Sequence, residues 1–141
     1  MCAIWNDDYA RQSNDTYLFA PADQCDPGML HPEEMREALH TTSIYRMLVG
    51  LYPVSLADGQ RERTQECAMM MDANNSLSHD PPTSWACYTD VGAAGAGSSN
   101  IALGVGTAAG TVRLYIQDPG TPSLGHRRLI FNPGMARSSF G

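Results

Sequence analysis

Two histidines sit in corners of similar build. His126 lies in Gly125-His126-Arg127-Arg128, ahead of the apolar run Leu129-Ile130-Phe131. Asn132-Pro133-Gly134 closes that run, because proline lacks an N–H and glycine tolerates positive φ. His79 lies in Leu77-Ser78-His79-Asp80-Pro81-Pro82, stiffened by its prolines. The expectation is that the fold brings these corners together over one hollow. Imidazole is a good zinc ligand, and two histidines with one carboxylate leave a position open for water. His79, His126 and Asp118 are the candidate metal set. Arg127 and Arg128 suit an anion, and one of them is expected to pair with an acidic loop residue such as Asp118. A structural role competes with all of this: each imidazole could satisfy loop backbone groups instead.

Other chemical patterns are weaker. Ser78-His79-Asp80 has the letters of a hydrolytic triad, but adjacent loop residues do not converge as a triad requires. Gly95-Ala96-Gly97 begins like a dinucleotide fingerprint. Asn100 replaces the third glycine and no apolar strand precedes it, so close backbone packing is the better reading.

The elements that must position the corners are mostly helical. Pro32-Glu33-Glu34 opens a helix, with proline at the first position and carboxylates at the positive dipole end. Met35, Ala38, Leu39, Thr42, Tyr45, Leu48 and Val49 give it an apolar face, and Gly50 stops it. His31 and His40 are expected to be solvated. Ser55-Leu56-Ala57-Asp58 reads as a near capping box for a helix running to about residue 73, whose Cys67, Met70 and Met71 are core. Residues 77–91 form a loop. Thr107 to Gln117 makes a shorter helix with Val112, Tyr115 and Ile116 inward, weakened at Gly110 by about 1 kcal/mol relative to alanine. Arg128 to Phe131 is expected to be a short strand. A strand needs partners, so either the N-terminal arm supplies one or the sheet is incomplete.

Bulk properties bound the rest. The 141 residues make one core, with an irregular arm over residues 1–29 and a domain over 30–141. Net charge is −6 and all nine basic residues are arginine, which argues against a nucleic-acid partner. No apolar run reaches the roughly 18 residues of a membrane span. The first residues lack the features of a signal peptide, as expected of a cytosolic protein, a mature segment or a trimmed chain. Four cysteines without a Cys-x-x-Cys pair argue against a zinc knuckle. Cys25 is a candidate pin for the arm. Cys67 with Cys87 is the first pairing expected, since that bridge would close the loop carrying His79.

Four segments together resemble a known family. They are Ser43-Ile44-Tyr45-Arg46 with Gly50-Leu51-Tyr52-Pro53-Val54; Cys67 to Met71 through Leu77-Ser78-His79 to Trp85-Ala86-Cys87-Tyr88; Ser99-Asn100-Ile101-Ala102; and Tyr115 to Gly120 with His126-Arg127-Arg128 and Asn132-Pro133. Over roughly residues 30–134 the chain resembles the CAP superfamily (cysteine-rich secretory, antigen 5 and pathogenesis-related proteins) in its bacterial form. The resemblance implies an α+β fold, an α-β-α sandwich, here dominated by helices because the sheet is expected to lack its final strands. It implies a secreted or envelope protein with a cleft holding two His and two Glu. His79 and His126 match the histidines, Ser99 stands at the first Glu, and Asp118 stands near the second. Ser43 replaces the usual Asn and Tyr115 the usual Trp. The expected function is a module that binds a small molecule or protein partner in the cleft of His79, Ser99, Asp118 and His126. The alternative is a metal-dependent hydrolase, with zinc in the same cleft. No convincing base is present once Ser99 replaces Glu.

Overall fold

The computed structural model describes residues 17–19 and 25–141, so most of the expected arm, residues 1–16 and 20–24, lies outside the described residues. In chain order the elements are β1 (Tyr17–Phe19), β2 (Met29–Leu30), α1 (Pro32–Leu48), β3 (Ser55–Leu56), a 3-10 turn (Asp58–Gln60), α2 (Arg61–Asn74), α3 (Asp90–Ala96), α4 (Ala108–Gln117), α5 (Gly125–Ile130) and β4 (Arg137–Ser138). β1 pairs antiparallel with β2, and β3 pairs in parallel with β4. The described strands thus make two two-stranded ladders in a mainly helical α+β fold.

The first helix follows its sequence signals, with one addition. Pro32 occupies the first turn beside Glu33 and Glu34, and Arg46 occupies the last. His31, expected to be solvated, is its N-cap: the Glu33 N–H donates to His31 Nδ1 at 3.1 Å. Met35, Ala38 and Thr42 are buried as their spacing predicts, but Leu48 and Val49 are exposed. The helix end runs past the core, and the buried side chain of its last turn is Arg46.

Two packed pairs carry the interior. α1 packs on α4, and Ala38, Val112 and Ile130 form a cluster flanked by Tyr45, Tyr115 and Phe140. Glu34, fully buried on α1, accepts the Ala108 N–H at 2.7 Å and so caps the start of α4. Burial is the main cause that pushes its carboxyl above the ordinary range. Thr107 caps the same helix end by accepting the Gly110 N–H. α2 packs on α3, with Cys67, Met70, Met71 and Ala96 as core, as expected of the methionine cluster.

Four further expectations fail. The helix placed from residue 55 begins at Arg61, because the Ser55 and Ala57 N–H groups donate to Ala136 and Ser138 in the β3–β4 ladder. The loop expected over residues 77–91 stops at Thr89, and Asp90–Ala96 form α3, for which no helix was expected; Thr89 caps it by accepting the Gly92 N–H. The expected strand at 128–131 is α5 and the turn after it. The disulfide is Cys25–Cys87, not Cys67–Cys87, and Cys67 is a buried free thiol. The bridge pins the segment before α1 to the His79 loop, the role suggested for Cys25.

The glycine-rich stretch is explained by close packing, as its composition predicts. A Cβ on Gly95 would collide with the Arg63 carbonyl of α2, so the two helix backbones touch there. Gly95→Ala should therefore lower unfolding free energy by about 1–3 kcal/mol in denaturant titration. Gly59→Ala, where an added Cβ meets nothing within 4 Å, should change it little.

Candidate functional site

The site is built where α4 ends and α5 begins. Asp118 takes a left-handed conformation, φ 50°, as the C-cap of α4, which turns the chain toward α5. Its carboxylate is buried and reaches forward to the new helix. Oδ1 accepts from His126 Nδ1 at 2.7 Å, and Oδ2 accepts the Arg127 N–H at 3.2 Å. A negative group thus meets the N-terminal N–H groups of α5, the favourable end of its dipole. Arg127 answers in reverse. Its guanidinium donates to the Ile116 and Gln117 carbonyls at the α4 C-terminus, the end that favours a cation. The expected Arg–Asp118 contact exists, but it runs through the Arg127 backbone and not its side chain.

This clamp fixes the His126 ring. The carboxylate accepts, so Nδ1 carries the hydrogen. The ring stacks on Tyr115 with centroids 5.3 Å apart and planes at 25°. Burial pushes the Asp118 carboxyl up. The hydrogen bonds from His126, the Arg127 N–H and Thr121 outweigh that and hold it below the ordinary carboxylate value.

His79 has a different partner. Its Nδ1 lies 2.7 Å from the Ala96 carbonyl, which can only accept, so Nδ1–H donates, and the residue as a whole is exposed. Asn100 Nδ2 in turn donates to the His126 carbonyl at 3.1 Å. The two histidine corners therefore grip opposite ends of the segment from Ala96 to Asn100, which spans at most ~14 Å of chain. Among the described residues no group of three or more His, Cys, Asp and Glu side chains is arranged to hold a metal ion.

A groove of about 460 Å³ opens beside this segment. Ser99 is part of its lining, with Cys67, Ile101, Val112, Tyr115 and Ile130 among the deeper residues; His79, Asp118 and His126 are not. Burial pushes the Cys67 thiol up to about 11, and burial foremost, with Cys67 adding to it, pushes the Tyr115 hydroxyl well above its ordinary value. Both are neutral at pH 7, so neither brings charge to this wall.

The sequence matches the cysteine-rich secretory protein family, CAP, over residues 39–141. The chain belongs to the CAP family. No curated protein and no solved structure matched it. The match begins inside α1 and takes in both histidine corners of this CAP domain, all of the groove lining but Leu30, and β4. Three residues that shape the site do so in ways the sequence did not indicate. Glu34 caps α4, Arg127 ties α4 to α5, and Arg46 holds the carbonyls at the far end of α5. Arg46 had a signal: it continues the buried stripe of Ala38 and Thr42 at four-residue spacing. No helix among the described residues is long and apolar enough to cross a membrane.

The clamp has a pH signature. A carboxyl held below its unfolded value adds stability above the unfolded pKa, and this is lost as pH falls through the lower folded pKa. Asp118→Asn, which keeps a side chain tolerant of left-handed backbone, should destabilise the CAP domain at pH 7. The deficit should shrink as pH drops below the ordinary aspartate range, in thermal melts taken from pH 7 to pH 2.

Proposed function

We propose that this CAP domain is an extracellular, non-enzymatic module that binds a small, mostly apolar molecule in the groove beside residues 98–105. The observation that carries this reading is the groove itself. Its volume lies within the roughly 300–1,000 Å³ of small-molecule sites, and its wall combines apolar side chains with polar ones, the charged Arg63, Asp72 and Arg137 among them. Ser99, Tyr115 and Asn100 supply hydrogen-bonding groups at the lining. His126 and Asp118 work from behind Tyr115, and His79 works through Ala96, so the expected cleft residues shape the wall while Ser99 meets the ligand. The Cys25–Cys87 disulfide supports an oxidising compartment, secreted or in the envelope.

The test uses 1-anilinonaphthalene-8-sulfonate, an apolar ring system carrying one sulfonate, as the probe. Titration should give saturable one-to-one binding, weakened about ten-fold or more by Ala102→Trp, which fills the groove at a half-buried lining position. His79→Ala should weaken it far less. Binding untouched by Ala102→Trp contradicts the reading. Tight zinc binding by calorimetry, lost in both His79→Ala and His126→Ala, would replace it with the metal site expected of His79, His126 and Asp118.

A further inference from the structure

The C-terminal end of α1 exposes large apolar side chains in succession: Met47, Leu48 and Val49 are 51%, 51% and 56% exposed, and Tyr52 is 88% exposed. A soluble surface rarely gathers such residues without use for them. The same end of the molecule includes the stretch after α5. The Arg46 guanidinium donates to the carbonyls of Tyr52, Ile130, Asn132 and Met135, so residues 50–54 and 130–135 lie side by side. β3 and β4 continue that neighbourhood, with Ser55 opposite Arg137. Leu129, Pro133 and Arg137 are also exposed there.

Charge is segregated around this end. Residues 38–57 and 119–141 contain none of the fifteen acidic residues, although the chain carries a net charge of −6. They contain Arg128 and Arg137, both exposed. An apolar tip beside arginines and free of nearby carboxylates in sequence fits an anionic, partly apolar partner. Two copies meeting through this face would set arginine against arginine, which disfavours a symmetric dimer. Two exposed arginines are also too few to track a phosphate backbone.

We propose that this end of the domain docks on an anionic lipid surface. Leu48, Val49 and Tyr52 enter the boundary between headgroups and acyl chains, where tyrosine is favoured, while Arg128 and Arg137 face lipid phosphates. Leu129 and Arg137 also border the groove, but Met47, Leu48, Val49, Tyr52 and Arg128 do not, so this inference does not rest on the ligand reading.

The experiment is co-sedimentation of the whole chain with vesicles. The wild type should partition onto phosphatidylglycerol vesicles, weakly or not at all onto phosphatidylcholine, and less as salt rises. Tyr52→Asp should reduce partition about ten-fold or more, and Arg137→Ala about five-fold. The Tyr52 side chain is almost fully exposed and only its carbonyl meets Arg46, so that variant leaves the fold in place. Thr83→Asp, which adds the same charge in the exposed 77–91 loop, should change nothing. Failure of the wild type to partition, or partition unaltered by Tyr52→Asp, overturns the proposal. Concentration-dependent dimerisation lost in Tyr52→Asp, without vesicle binding, assigns the face to a second copy and overturns it too.

Discussion

A buried guanidinium holds the C-terminal part of this domain in place. Arg46 is 1% exposed, and four of its five N–H donors meet backbone carbonyls at 2.6 to 3.0 Å. Removing an arginine from water costs several kcal/mol, and charge-assisted hydrogen bonds offset that cost only when the acceptors are already aimed. Here the acceptors come from the turn after α1 and from residues 84 to 89 positions further along the chain. One side chain thus ties together segments that are far apart in the chain. The guanidinium supplies a hydrogen bond to each of four carbonyls, so removing it takes several charge-assisted bonds at once.

α5 inherits its position from that node at one end and from the Asp118 clamp at the other. Ile130, its last residue, gives its carbonyl to Arg46. His126 and Arg127, in its first turn, bind Asp118 and the α4 carbonyls. A six-residue helix is too short to persist by propensity, so these end contacts are what make it a helix. Because Leu129, Ile130 and Tyr115 line the groove, the shape of that groove depends on both ends being held. The His126 ring acts within this frame as a brace for Tyr115.

The parts legible in the sequence are those decided locally. Pro32, the acidic first turn and Gly50 bound α1; Thr107 and Asp118 bound α4; the methionines of α2 were core. The CAP resemblance stood on motif order and agrees with the family match. What the sequence hid was decided by distant partners. The run Leu129-Ile130-Phe131 is too short for periodicity to separate strand from helix. Ser55 looked like a cap because its pairing with Ala136 spans 81 residues. α3 is poor in side chains, and only its fit against Arg63 and Glu66 shows why glycine belongs there. Cysteine spacing left the pairing open, and the bridge ran to the arm instead of around the His79 loop.

Native-state amide hydrogen exchange in Arg46→Lys tests the node most directly. Lysine keeps the charge but cannot spread donors over carbonyls on several segments. The Ser55 and Ala57 amides, which donate across the β3–β4 ladder, should lose protection down to local opening, while the Met70 and Met71 amides of α2 stay protected. Unchanged protection at Ser55 and Ala57 would contradict the account, because the ladder would then stand without the guanidinium that is held to set it.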